Sequence, residues 1–236
     1  MKQLFFWIFL SLLGCLAPAS LAGQFSVNPV RVDLSPDSAI AALKVTNQGD
    51  QPVTLQIKTL FWSQENGQDT VVPSRDILAS PPIFNLPAGA EQVVRVGLRI
   101  NPAKGREHAY RVLFEEVLPP ATADFRGLRI ALNISIPVFV TSGEELKAAP
   151  QWRVARTSSG VEVHVSNQGK AHYRASQIAL ISPSGKRLAG LEGNFYVLPG
   201  LTRSWPVKLP TPPQPGTYRL DFETDSGKAS LEKTLE

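Results

Sequence analysis

From Leu128 to Val138 every second residue is a large aliphatic: Leu128, Ile130, Leu132, Ile134, Ile136 and Val138. Successive side chains of an extended chain point to opposite faces, so this run predicts a β-strand over Leu128–Val140 with one dry edge. A large aliphatic gains about 1.5–3 kcal/mol on burial, so the six together represent on the order of 10 kcal/mol. That much apolar surface is not left facing water without a reason. Either the strand crosses a sandwich with these side chains in its core, or it is an edge whose side chains complete another protein's core. In the second case backbone pairing supplies affinity and alternate side chains fill pockets. Pro137 has no N–H to offer a neighbouring strand, which suits an edge or a bulge. Periodicity alone leaves both readings open.

The rest of the chain repeats the two-residue period in shorter runs. "FSVNPVRVDL", "IAALKVTN", "VTLQIKTLFWS", "QVVRVGLRI" and "AYRVLFEEV" precede the long run, and "WRVART", "VEVHVSN", "ASQIALISP", "NFYVLP", "RSWPVKLP", "TYRLDFE" and "KASLEKTL" follow it. Pro, Gly and Asn break these runs at roughly 8–12-residue intervals, the signature of β-sandwiches, and no amphipathic helix of ordinary length is present. Between the two sets, "TSGEELKAAP" (Thr141–Pro150) replaces the pattern with charge, Ala and Pro and marks a hinge. The chain therefore divides into an N-terminal domain over residues 23–143 and a C-terminal domain over residues 149–236. "VTNQG" at Val45–Gly49 returns as "VSNQG" at Val165–Gly169, at the same place in each strand order, which favours two sandwiches of one type. "LPTPPQPG" (Leu209–Gly216) reads as a surface loop.

Residues 1–22 stand apart. Lys2, the apolar stretch after it, and Ser20 and Ala22 form a secretory signal with a small-x-small cleavage site, so the mature chain is expected to begin at Gly23. "LLGC", ending at Cys15, offers lipid anchoring as the less favoured alternative. Cys15 is the sole cysteine, so a chain cleaved after Ala22 has no disulfide and holds together by apolar burial. Lys and Arg number 24 against 20 Asp and Glu, a net charge of +4 without any basic run, and nucleic acid is not an expected partner.

Little points to chemistry. His108, His164 and His172 lie in separate segments, no metal-ligand spacing occurs, and there is no nucleophile elbow or glycine-rich phosphate loop. Glu115 and Glu116 are adjacent on a strand and point to opposite faces. An enzyme, a metal and a cofactor are not expected. What remains unusual is Arg31, Arg95 and Arg111, each set in an apolar strand, either snorkelling outward or serving a ligand.

Several segments, in order, resemble the periplasmic pilus chaperones of the chaperone–usher systems (PapD-like). They are "NPVRVDLSP", "PPIFNLPAGAEQVVRV", "YRVLFEEVLPP" and "LRIALNISIPVFV", covering nearly all of the first domain. "VHVSNQGKAHYR" and "FYVLPGLTRSWPVKLP" are closer to the archaic branch. The resemblance implies an all-β chain of two immunoglobulin-like β-sandwich domains in a boomerang arrangement with the working cleft between them. It implies donor-strand complementation: the last strand of the first domain fills the open groove of a pilus subunit with Leu128, Ile130, Leu132, Ile134 and Ile136, prevents its aggregation and delivers it to an outer-membrane usher. It also implies a basic anchor for the subunit's terminal carboxylate, with Arg31 in the place of the family's first-strand arginine. The second cation of the best-known branch falls at Pro137 here, a departure, and Arg111 is the candidate helper. A self-capping dimer of the free chaperone is left open. The alternative is an exported two-domain binding or structural surface protein.

Overall fold

The computed structural model describes residues 25–120 and 126–235; the expected signal peptide and Cys15 lie outside them. Ten strands come before the hinge: β1 (Phe25–Asn28), β2 (Val32–Leu34), β3 (Ile40–Asn47), β4 (Val53–Glu65), β5 (Gln68–Pro73), β6 (Ile77–Ser80), β7 (Ile83–Leu86), β8 (Glu91–Leu98), β9 (His108–Glu116) and β10 (Asn133–Val140). Seven follow it: β11 (Pro150–Thr157), β12 (Gly160–Asn167), β13 (Tyr173–Ile181), β14 (Arg187–Val197), β15 (Thr202–Lys208), β16 (Gly216–Thr224) and β17 (Gly227–Leu235). Among the described residues there is no helix.

The first sandwich packs the sheet β1-β3-β8-β6 against the sheet β2-β10-β9-β4-β5, with β7 on β4. The two-residue period is what closes it. Leu43 and Val45 of β3 and Val94 and Val96 of β8 meet Leu55, Ile57, Val112, Phe114 and Val138 from the other sheet. The second sandwich packs β11-β12-β15 against β14-β13-β16-β17, around Val163, Ile178, Leu180 and Leu220.

The repeated Asn-Gln-Gly has the same physical role in both. Asn47 is fully buried; its Nδ2 donates to the carbonyls of Gln51, Leu86 and Pro87 at 2.8–3.1 Å, and its Oδ1 accepts from Gly49 N. Asn167, also fully buried, donates to Ala171 O and Val197 O and accepts from Gly169 N and Ala149 N. Each side chain satisfies backbone groups of its own turn and of the end of a nearby strand, in an interior where an unpaired polar group is costly. Gly169 is fixed for a further reason. A Cβ there would lie 2.4 Å from Lys147 O and 2.5 Å from Ala149 N, because the hinge runs directly across it.

The sandwiches meet along a seam on the outer face of the first. Trp62 of β4, Ala109 of β9 and Phe139 of β10 form one row across three strands and are buried against Tyr196 and Leu198. Gln64 continues the seam like a short strand: its Nε2 donates to Tyr196 O at 2.9 Å and its Oε1 accepts from Leu198 N at 3.0 Å. Glu107 holds both the backbone N–H and Nδ1 of His172, at 2.8 and 2.9 Å, and the imidazole stacks on Phe139 at 3.5 Å.

Asn47→Ala and Asn167→Ala each strand several buried groups, so each should lower stability by about 1–3 kcal/mol. Urea unfolding measures this, with Asn85→Ala as an exposed control expected within about 0.5 kcal/mol of the parent. Midpoints equal to the control would mean that the Asn side chains do not hold these turns.

Candidate functional site

β10 is paired unequally on its two sides. β9 runs beside all of it, from Asn133↔Glu115 to Val140↔His108, whereas β2 reaches only Val138–Val140. Glu116 N donates to Leu132 O, and in an antiparallel ladder bonding alternates, so the even-numbered residues of β10 direct their backbone groups to β9. The odd-numbered ones face the other way, as Thr141 N donating to Leu34 O illustrates. From Asn133 to Ile136 that side has no strand, and its N–H and C=O groups are open; the Pro137 carbonyl already belongs to the β2 ladder. Pro137 is odd, so its missing N–H falls on the open edge and removes no bond to β9.

The alternating aliphatic run divides along its length. Val138 is 0% exposed and Ile136 3%, both in the core of the first sandwich. Ile134 and Leu132 are half-buried against that core, while Ile130 is 63% and Leu128 84% exposed. The strand predicted from Leu128 begins five residues later, at Asn133. The reason is the partner. β9 ends at Glu116, opposite Leu132, where the Glu116 carboxylate accepts from Leu132 N at 2.9 Å. Beyond it the alternation continues in sequence, but the Leu128–Ala131 backbone has no ladder to join.

A cleft of about 540 Å³ opens beside this edge, between the sandwiches, and Arg31, Arg111, Arg174, Tyr196 and Asp225 line it with Ile134–Pro137. Arg31 stands just before β2, where the chain has crossed from one sheet to the other. Its Nε donates to Asp33 at 3.0 Å and its Nη1 to Asp225 at 2.8 Å. Partial burial opposes its charge, but the two carboxylates hold its pKa above the ordinary value. Arg111 lies directly across from Pro137 in the ladder, with its guanidinium 3.8 Å over the Trp62 ring. Burial pulls its pKa down, with Asp69 partly opposing. Among the described residues it makes no ion pair.

The structure thus brings Arg31 and Arg111 to one cleft with the open strand edge, and places Arg95 elsewhere, on β8. Sequence reasoning missed the other wall. Arg174 donates from Nε to Asp225 Oδ1 at 2.5 Å and from Nη1 to Asn194 Oδ1 at 2.9 Å. Asp225 is buried enough to disfavour its charge, yet Arg174 and then Arg31 bring its pKa below the usual carboxylate value. No local pattern marks these residues; only "KAHYR", within a segment read as family-like, lay near them. Arg31 and Arg174 share the partly exposed Asp225 carboxylate, and with Arg111 beside them the cleft suits a further carboxylate ligand. Among the described residues no group of His, Cys, Asp and Glu converges as a metal site requires.

Residues 24–142 match the family model for the pili and flagellar-assembly chaperone, PapD N-terminal domain. No curated protein matches the sequence. Among solved structures the chain is similar to one in the CsuC–CsuE chaperone–tip adhesion subunit pre-assembly complex from archaic chaperone–usher Csu pili of Acinetobacter baumannii. The identity is 22%, the TM-score 0.65, and the match covers 90% of this chain and 99% of that one. It is also similar to a chain in the Salmonella enterica SafA pilin–SafB chaperone complex, at 18% identity and TM-score 0.62, covering 92% and 99%. The E. coli chaperone DraB gives 20% identity and TM-score 0.59, covering 91% and 98%. At these identities the likeness establishes the two-sandwich immunoglobulin-like fold.

The division of the aliphatic run has a direct consequence for stability. Ile136→Ala should destabilise the protein by about 2–5 kcal/mol, as large-to-small core changes do, whereas Ile130→Ala should stay within about 0.5 kcal/mol of the parent. Chemical denaturation of the two variants checks it; equal losses would place both side chains in one environment.

Proposed function

The chain belongs to the family of pili and flagellar-assembly chaperones, and from that premise we propose that it captures pilus subunits in the periplasm by lending them a strand, keeps them from aggregating, and passes them to an outer-membrane usher. The observation that carries this reading is the coincidence of three features at one place: a vacant strand edge at Asn133–Ile136, an aliphatic run that leaves its own core at Leu132, and a cationic cleft alongside.

In this reading Leu128, Ile130, Leu132 and Ile134 enter the subunit's open groove. Four such side chains are worth on the order of 10 kcal/mol if fully buried. Ile136 was an expected donor, but at 3% exposed it already serves the chaperone's own core, so we assign it no place in the groove. Backbone groups of Asn133 and Ser135 pair with the subunit, and Pro137 contributes none, since it has no N–H and its carbonyl belongs to the β2 ladder. Arg31 and Arg111 receive the subunit's terminal carboxylate. A hydrogen bond to a charged group is worth about 1.5–3 kcal/mol, enough to fix the register from which pairing extends. No nucleotide or metal enters the mechanism.

Co-expression with pilus subunits should give a soluble one-to-one complex, separable by size. Leu128→Asp and Ile130→Asp, both at exposed positions, should abolish that complex while the free chaperone's melting temperature stays within a few degrees. Arg31→Ala should reduce capture about tenfold or more, the equivalent of one charge-assisted bond. An absent complex would favour the alternative, an exported two-domain surface protein. Intact capture by both aspartate variants would remove the lent strand from the mechanism.

A further inference from the structure

Arg31 is already in use before any ligand arrives. Asp33, which accepts from its Nε, lies two residues on, in β2, and is largely exposed. Asp225, which accepts from Nη1 at 2.8 Å, comes from the turn between β16 and β17 in the other sandwich. Its second oxygen is held by Arg174 at 2.5 Å. It therefore presents two oxygens and one negative charge inside the cleft, the same chemistry that a chain-terminal carboxylate would bring.

We propose that Asp225 is a resident occupant of Arg31, which an incoming chain-terminal carboxylate displaces, and that it sets the selectivity of this anchor. The inference rests on the reading of the cleft as a carboxylate anchor. Displacement does not strand a charge, because Asp225 keeps the Arg174 guanidinium on its other oxygen at 2.5 Å. Arg111 lines the same cleft without an ion pair among the described residues, and it receives the ligand's second oxygen. The exchange replaces one carboxylate by another on Arg31 and adds a contact at Arg111. A neutral chain end gains nothing from it, because it would trade a charge-assisted bond for a weaker one. Asp225 thus excludes amides and internal carbonyls from Arg31 and leaves the site to a ligand with its own negative charge.

The test needs no pilus subunit, so its outcome is independent of the co-expression result. Acetate, the smallest carboxylate, and acetamide, its neutral counterpart, are titrated into isotope-labelled mature protein while NMR follows the arginine side-chain signals. In the parent, acetate should perturb Arg111 at lower concentration than Arg31. In Asp225→Asn it should reach Arg31 about tenfold more tightly, as expected when a competing charge-assisted bond is removed. Asp225→Ser should repeat the gain if Asn itself hydrogen-bonds to Arg31. Acetamide should move neither arginine in the parent. Unchanged or weaker acetate binding at Arg31 in both variants would overturn the proposal and make Asp225 a residue that only orients Arg31.

Discussion

The parity of β10 governs the arrangement of both the core and the cleft. Its even-numbered residues bond to β9 and send their side chains into the first sandwich. Its odd-numbered residues send Phe139 to the outer face, into the seam with the second sandwich, and turn the backbone of Asn133–Ile136 to an unoccupied edge. A slip of one residue would invert all of this together: core side chains would face the seam, and Pro137 would face β9, where it cannot donate. The register is over-determined, because Ile136 and Val138 fix it from the core and Phe139 fixes it from the other side.

The seam explains why the cleft has a defined second wall. Phe139 lies between Trp62 and the His172 ring, so the strand with the open edge is also the strand on which the second sandwich rests. The polar contacts around it are directional: Gln64 meets Tyr196 O and Leu198 N as a strand would, and Arg106 donates to Pro199 O at 2.8 Å. An apolar patch alone would allow rotation. Buried hydrogen bonds of fixed geometry do not, since any other orientation leaves their partners unsatisfied. Arg174 and Asp225 are held opposite Arg31 by this arrangement rather than by anything in their own strands.

What could be read from the sequence follows from the range of each signal. The sandwiches were legible because a two-residue period and turn chemistry are local. The Asn-Gln-Gly echo was legible for the same reason, and its cause is one buried amide used twice to hold a turn. The start of β10 was overrun, because alternation persists through Leu128 whether or not a partner strand accompanies it, and the end of β9 at Glu116 decides the matter. Arg31 was marked by an apolar context and a family-like place, and Arg111 by its place at the start of the strand expected to neighbour the donor's end. Arg174, Asp225 and His172 carried no mark, since they acquire their roles only when two sandwiches distant in sequence come together.

The position of Pro137 then becomes intelligible. A cation at residue 137 would project from the outer face of β10, on the side where Phe139 and Trp62 build the seam. Here that place in the row is taken by Arg111, one strand over, whose flat guanidinium stacks on Trp62 and still reaches the cleft. Arginine tolerates such a position where lysine would not, because a delocalised, weakly hydrated cation can lie on an aromatic face. The proline keeps the open edge free of one donor, and the positive charge is supplied by a residue whose backbone is already committed to the sheet. Charge and edge are thereby separated onto neighbouring strands, so that in the proposed mechanism the cation can vary without altering the strand that is lent.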